Sequence, residues 1–271
     1  MFVEIAGHQF FTLSFGSGPR TFLAQGGWVG SSEVWLPTLE LLSSSWRTVT
    51  FDHRGSGETN VPLESITYEA LVDDIFRVMD VLAIERCVLG GESAGTQVVL
   101  DAVLRHPERF DGAVLVDGSG GLPRPASAGP SPITGPPSTW PGSDHSARLR
   151  WFVELCMPEP NVEQIRRWGH HILLRAHPEA ATLLWGIGRS AAPGLADRLA
   201  EVEVPVLLVY GAEDVLAPRT AMAELAERLP RSRLVEIAEA GHVPIMTRPR
   251  EVAAAIESSF GGTARRGDQR A

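Results

Sequence analysis

The chain has 271 residues, 44% apolar and 21% charged, enough for one large α/β domain or two small ones. Its 24 Lys plus Arg against 33 Asp plus Glu leave a net charge of −9, which argues against a nucleic-acid-binding face. No run is long and apolar enough to span a bilayer, and "MFVEIAGHQFF" lacks the basic and apolar regions of a signal peptide. A cytoplasmic protein with no membrane or nucleic-acid partner is therefore expected. The two cysteines, Cys87 and Cys156, read as free thiols rather than as a disulfide framework.

Along the chain, Met1 to Leu13 alternates as a short hairpin with Gly7 near its turn. "RTFLAQGG" reads as a strand, Ser32 to Leu42 as a helix, and "WRTVTFDHRGSG" as a strand ending in a Gly-rich loop. Leu71, Ile75, Val78 and Leu82 give Tyr68 to Leu82 helical spacing. "RCVLGG", "GAVLVDG" and "VPVLLVYG" are short continuous apolar runs, as suits strands buried on both faces of a parallel sheet. "SRLVEIAEAGH" supplies a last strand and "PREVAAAIESSF" a closing helix. Strands alternating with helices imply βαβ units.

The alternation breaks once. Leu122 to about Trp140 is rich in Pro, Gly and Ser, and three helical patterns then follow without a strand: "HSARLRWFVELC", "NVEQIRRWGHHILLRA" and "EAATLLWGIGR". The expected organisation is a core over residues 1–121, a helical cap insertion over 122–200, and the rest of the core over 201–262. The polar, Gly-rich residues 263–271 are expected to be disordered.

Gly91-Glu92-Ser93-Ala94-Gly95 is G-x-S-x-G between a strand and a helix, the context of a nucleophile elbow. A bare motif of this kind also serves as a helix cap, so the strand before it and the helix after it carry the reading. A Ser hydroxyl needs a base, and of eight His residues His242, in the loop between the last strand and the closing helix, is best placed. His53 belongs to the glycine loop, and His170 and His171, adjacent on a helix, project differently. No Cys/His cluster has zinc spacing. Asp214, after a buried strand, completes the chain order Ser, Asp, His. Asp117 is its rival at another strand end, and Asp52 reads as a brace of its own loop. No G-x-G-x-x-G opens a helix and no Walker-type Lys occurs, which disfavours a nucleotide cofactor.

With "GGESAG", "GAEDVLAP", "AGHVPI", "FDHRGSGET" and "AQGGWVGSSEVW", the chain resembles the capped α/β-hydrolases over nearly all its length. The resemblance implies a mostly parallel twisted sheet of about eight strands, with helices on both faces and a helical cap insertion. It implies a catalytic triad of Ser93, Asp214 and His242, oxyanion donors at the backbone N–H groups of Trp28 and Ala94, and no cofactor or metal. Relatives usually carry His-Gly where this chain has Gly26-Gly27, a departure that bears on how the oxyanion loop is braced.

The expected activity is hydrolysis of a carboxylic ester, thioester or lactone of a small, moderately hydrophobic substrate through an acyl-enzyme. Two alternatives stand beside it: carbon–carbon bond hydrolysis on the same fold, and a slow-turnover ligand sensor whose cap binds a partner. Trp140, Trp151, Trp168 and Trp185 fall in or beside the insertion and are expected to line the substrate pocket, or else to form the insertion's own core. Monomer and homodimer are left open.

Overall fold

In the computed structural model, which describes residues 1–190 and 192–262, eight strands form one sheet. They are β1 (Phe2–Ile5), β2 (His8–Phe15), β3 (Thr21–Gln25), β4 (Arg47–Phe51), β5 (Cys87–Glu92), β6 (Phe110–Val116), β7 (Val206–Gly211) and β8 (Ser232–Ile237). Their order is β1-β2-β4-β3-β5-β6-β7-β8. β1 and β2 form the N-terminal hairpin, turning at Ala6 and Gly7, both at positive φ. β2 pairs antiparallel with β4, and every later pairing is parallel. β5 and β7 are buried at every position, which is why they read as unbroken apolar runs: helices cover both faces, leaving no face for polar alternation.

The helices are α1 (Leu36–Leu42), α2 (Tyr68–Val81), α3 (Gly95–Arg105), α4 (His145–Cys156), α5 (Glu163–Leu174), α6 (Pro178–Arg189), α7 (Arg219–Arg228), α8 (Pro244–Thr247) and α9 (Pro249–Phe260). α2 starts where the Thr67 side chain accepts from the Ala70 N–H at 3.1 Å, and it buries Leu71, Ile75 and Val78 on one face. The helix expected from Ser32 differs at its start. Ser32–Trp35 is a tight 3-10 turn, and the α-helix begins beside Pro37, whose missing N–H is harmless only in a first turn.

α4, α5 and α6 lie between β6 and β7 and reach back to the loops at the sheet's carboxyl edge. Trp168 Nε1 donates to Glu33 Oε2 at 2.6 Å, and Arg175 pairs with Glu33 at 2.5 Å while donating to Ser31 Oγ at 2.9 Å. The Gly-rich loop after β4 is fastened to α2 by a buried bidentate pair, Arg54 to Asp74, at 2.5 and 3.0 Å. Asp52 braces the same region, accepting from the N–H groups of Ser32 and Glu58, each at 2.7 Å. Cys87 and Cys156 are buried free thiols. No helix among the described residues is long and apolar enough to cross a membrane. The tail expected to be disordered, residues 263–271, lies outside the described residues.

Candidate active site

The turn from β5 into α3 places Ser93 above the sheet edge with φ +50°, a left-handed conformation that L residues rarely adopt. The turn is possible because its neighbours lack side chains. A Cβ at Gly91 would lie 2.6 Å from Val99 Cγ2, and one at Gly95 would lie 2.7 Å from the Gly26 carbonyl oxygen. The Ser93 N–H is tied to the Val116 carbonyl at 2.8 Å, and the Ser93 carbonyl accepts from Thr96 Oγ1 at 2.7 Å, so the strained residue is held from both sides.

His242 Nε2 stands 2.8 Å from Ser93 Oγ, and its Nδ1 stands 2.8 Å from Asp214 Oδ2. Asp214 is held for this by its own loop: Leu216 N–H donates to Oδ1 at 2.7 Å and Ala217 N–H to Oδ2 at 3.2 Å. Burial pushes the Asp214 carboxyl up, but the facing His242, the Asp117 side chain and the Leu216 amide outweigh it and hold the group below its ordinary value. Burial by itself would depress His242; Asp214, with Glu92 farther off, outweighs it and raises the imidazole above its ordinary value. The insertion buttresses the His242 loop. Cys156 O accepts the His242 N–H at 2.7 Å, and Glu159 Oε1 accepts the Gly241 N–H at 2.7 Å and the Thr247 hydroxyl at 2.8 Å.

Asp117, also at positive φ, is fully buried beside this array. Its Oδ1 accepts from the Gly211 N–H at 2.9 Å, and it makes no contact with the imidazole like that of Asp214. One oxygen from each carboxyl and one ring nitrogen of His242 all lie within 4.8 Å of one another. Burial, and then the Asp214 charge, pushes Asp117 well above the usual carboxylate range, while Asp214 is held below its ordinary value. Three such donors could in principle hold a metal. Here Asp214 and His242 already spend their lone pairs and ring proton on each other and on loop amides.

The loop after β3 faces Ser93. Its Trp28 N–H and the Ala94 N–H have no acceptor among the described residues. A Cβ at Gly26 would lie 2.2 Å from the Gly30 carbonyl oxygen, so a histidine at that position cannot coexist with this loop path. Two residues brace the loop instead. Glu92 Oε2 accepts the Gly27 N–H at 2.9 Å, and His53 Nε2 lies 2.9 Å from the Gly27 carbonyl. Sequence reasoning left His53 in its glycine loop and gave Glu92 no role; only its place inside the elbow motif marked it. Burial lowers His53, opposed by the Gly27 and Arg54 carbonyls that face its two ring nitrogens, and it raises Glu92, opposed there by His242 and the Gly27 amide.

Two unequal spaces meet at Ser93 and His242. A chamber of about 200 Å3 is lined by Trp28, Gln97, Asp117, Trp185 and Arg189 among others. An apolar recess of about 60 Å3 lies between Val34, Phe152, Leu173 and Met246. Of the four insertion tryptophans, Trp185 lines the chamber, while Trp140, Trp151 and Trp168 are not among its lining residues. Trp140 is 4% exposed and stacks on Phe152 at 4.9 Å; it meets Trp28 and Trp185 edge-on at 5.1 and 4.9 Å. Trp151 packs behind it at 6.1 Å, and Trp168 is pinned to Glu33. Phe152, absent from the expected set, lines both spaces. A clustered set of Trp reveals shared burial, but not which ring faces a void.

Residues 22–255 match the family model described as "Alpha/beta hydrolase family". The chain belongs to that family. A relative from Agrobacterium fabrum, provisionally named carbamate hydrolase RutD, is 31% identical over 233 residues, 84% of this chain and 88% of its own. A pimeloyl-(acyl-carrier protein) methyl ester esterase from Aeromonas hydrophila is 30% identical over 266 residues, 91% of this chain and 97% of its own. An esterase from Exiguobacterium antarcticum shares the fold of this α/β-hydrolase, with a TM-score of 0.84 at 20% identity over 95% of this chain and 97% of that one. The chain is thus an enzyme of the hydrolase class, and its arrangement of hydroxyl, imidazole, carboxylate and two free amides is suited to attack on a carbonyl.

Proposed function

We propose that this α/β-hydrolase cleaves a carboxylic ester, thioester or lactone through an acyl-enzyme on Ser93. The observation that carries the reading is the chain of 2.8 Å contacts from Asp214 through His242 to a Ser93 held at φ +50°. Ser93 Oγ attacks the carbonyl carbon as its proton passes to His242 Nε2. Asp214 stabilises the imidazolium and fixes the Nδ1–H tautomer. The oxyanion develops between the N–H groups of Trp28 and Ala94. Collapse expels the alcohol or thiol, which takes the proton from His242. Water then attacks the acyl carbon, gives a proton to His242, and releases the acid as Ser93 Oγ recovers it. The names of the two sequence relatives, a methyl ester esterase and a carbamate hydrolase, support hydrolysis at a carbonyl bearing a heteroatom leaving group.

Labelling with a fluorophosphonate, followed by peptide mass spectrometry, tests the assignment. The label is expected on Ser93, with Ser93→Ala losing both label and ester hydrolysis. A label elsewhere on active protein refutes it.

A further inference from the structure

The wall of the larger chamber beside Ser93 contains a buried acceptor to which no group among the described residues donates. Gln97 lies on the first turn of α3, four residues beyond Ser93, and is 2% exposed. Its Nε2 donates to the Gly188 carbonyl of α6 at 3.1 Å. A carbonyl can accept only from the amide nitrogen, so this bond fixes which end of the side chain is oxygen. That oxygen, Oε1, is buried without a hydrogen-bond partner. It faces Gly121, where a Cβ would stand 3.5 Å away, and both residues line the chamber. Gly121 has φ +85°, so a side chain between it and Oε1 is strained. Buried acceptors are ordinarily satisfied, because leaving one unpaired is costly.

The opposite recess has another character. Its volume is about 60 Å3 against about 200 Å3 for the chamber, and its walls include Val34, Phe152, Ile172, Leu173 and Met246. A substrate bridging the two across Ser93 therefore has a short apolar half and a longer half that passes Gln97.

We propose that Gln97 Oε1 is a specificity determinant that accepts a hydrogen bond from an N–H or O–H group on the longer half of the substrate. The substrate class is thereby narrowed to esters with a small apolar group on one side of the scissile bond and a hydrogen-bond donor on the other. This rests on the acyl-enzyme reading above.

The test uses paired esters. One series is the methyl esters of acetamido-alkanoic acids of increasing chain length, each matched with a twin in which CH2 replaces the N–H. A second series is the acetates of acetamido alcohols with the same twins, so that either half of an ester can be offered to the chamber. Hydrolysis is followed by proton release. Wild type is expected to favour the N–H member about tenfold in kcat/KM at the chain length that reaches Gln97, the worth of one net hydrogen bond. In Gln97→Met the preference should fall to near unity. Gln97→Glu, which keeps an acceptor oxygen at the same place, should retain it. If Gln97 only ties α3 to α6, Gln97→Met lowers both members of a pair equally and the preference persists, which overturns the proposal. No N–H preference in wild type in either series overturns it without any variant. Failure of wild type to cleave any ester, including the CH2 twins, removes the acyl-enzyme reading and this proposal with it.

Discussion

Glu92 takes the Gly27 N–H at 2.9 Å while the Gly27 carbonyl lies 2.9 Å from His53 Nε2, so the residue before the proposed oxyanion donor Trp28 is clamped from two sides. The clamp sets the direction of the following Trp28 N–H. His53→Leu removes one jaw while keeping the bulk, and kcat is expected to fall about tenfold or more with little change in KM. The loss should stop short of the roughly 10²–10³-fold typical of a deleted oxyanion donor. Steady-state kinetics on a short ester reads the split. A rise in KM at constant kcat would place His53 in ground-state binding instead.

The two carboxyls near His242 should respond unequally to amidation. Asp214→Asn is expected to lower kcat by about 10⁴, because the amide favours the wrong imidazole tautomer. Asp117→Asn replaces a carboxyl whose ionisation burial and Asp214 disfavour, and the amide oxygen can still face the Gly211 N–H, so activity should stay within about threefold of wild type. Loss of activity in Asp117→Asn with retention in Asp214→Asn would reverse the two assignments.

The acid limb of the pH profile should report His242. Its value is raised by Asp214 and, to a lesser extent, by Glu92. The proposed mechanism needs the neutral imidazole, so kcat/KM should be full above the raised value and fall as pH drops through it, at a higher pH than for an unperturbed histidine. Glu92→Gln removes one raising influence while leaving an amide oxygen for the Gly27 N–H. Its acid limb should therefore move to lower pH. An unmoved limb would show that Glu92 carries no charge when His242 titrates.

Trp140 and Trp185 should separate packing from selectivity. Trp140 is buried in an aromatic cluster outside the chamber lining, so Trp140→Ala is expected to cost about 3–5 kcal/mol of stability. Trp185 is partly exposed and lines the chamber, so Trp185→Ala should change the preferred chain length with a smaller fall in melting temperature. Thermal unfolding beside a series of acyl chain lengths measures both. Equal destabilisation with unchanged selectivity would make Trp185 a packing residue too.

What could be read from the sequence was local. A strand, a five-residue turn and a helix are contiguous, and the steric need for small residues beside a residue at positive φ leaves its mark in G-E-S-A-G. The insertion was legible because three helical periods in succession interrupt the strand rhythm, and the parallel core because strands covered on both faces are apolar throughout. The partners of the turn were harder, because contact across a sheet depends on strand order. β6 and β7 are parallel neighbours, so Asp117 and Asp214 end at one edge with similar flanking sequence. The loop amides of Leu216 and Ala217 hold Asp214 against His242, while the Gly211 amide takes Asp117. Glu92, His53, Gln97 and Phe152 went unread for the same reason. Each takes its place from groups far away in the chain, and no periodicity or spacing in one sequence records which polar atom a fold has left facing a cavity. Sequence determined which segments could form the elbow and the sheet; close packing of distant loops decided which carboxylate, which imidazole and which aromatic ring meet at Ser93.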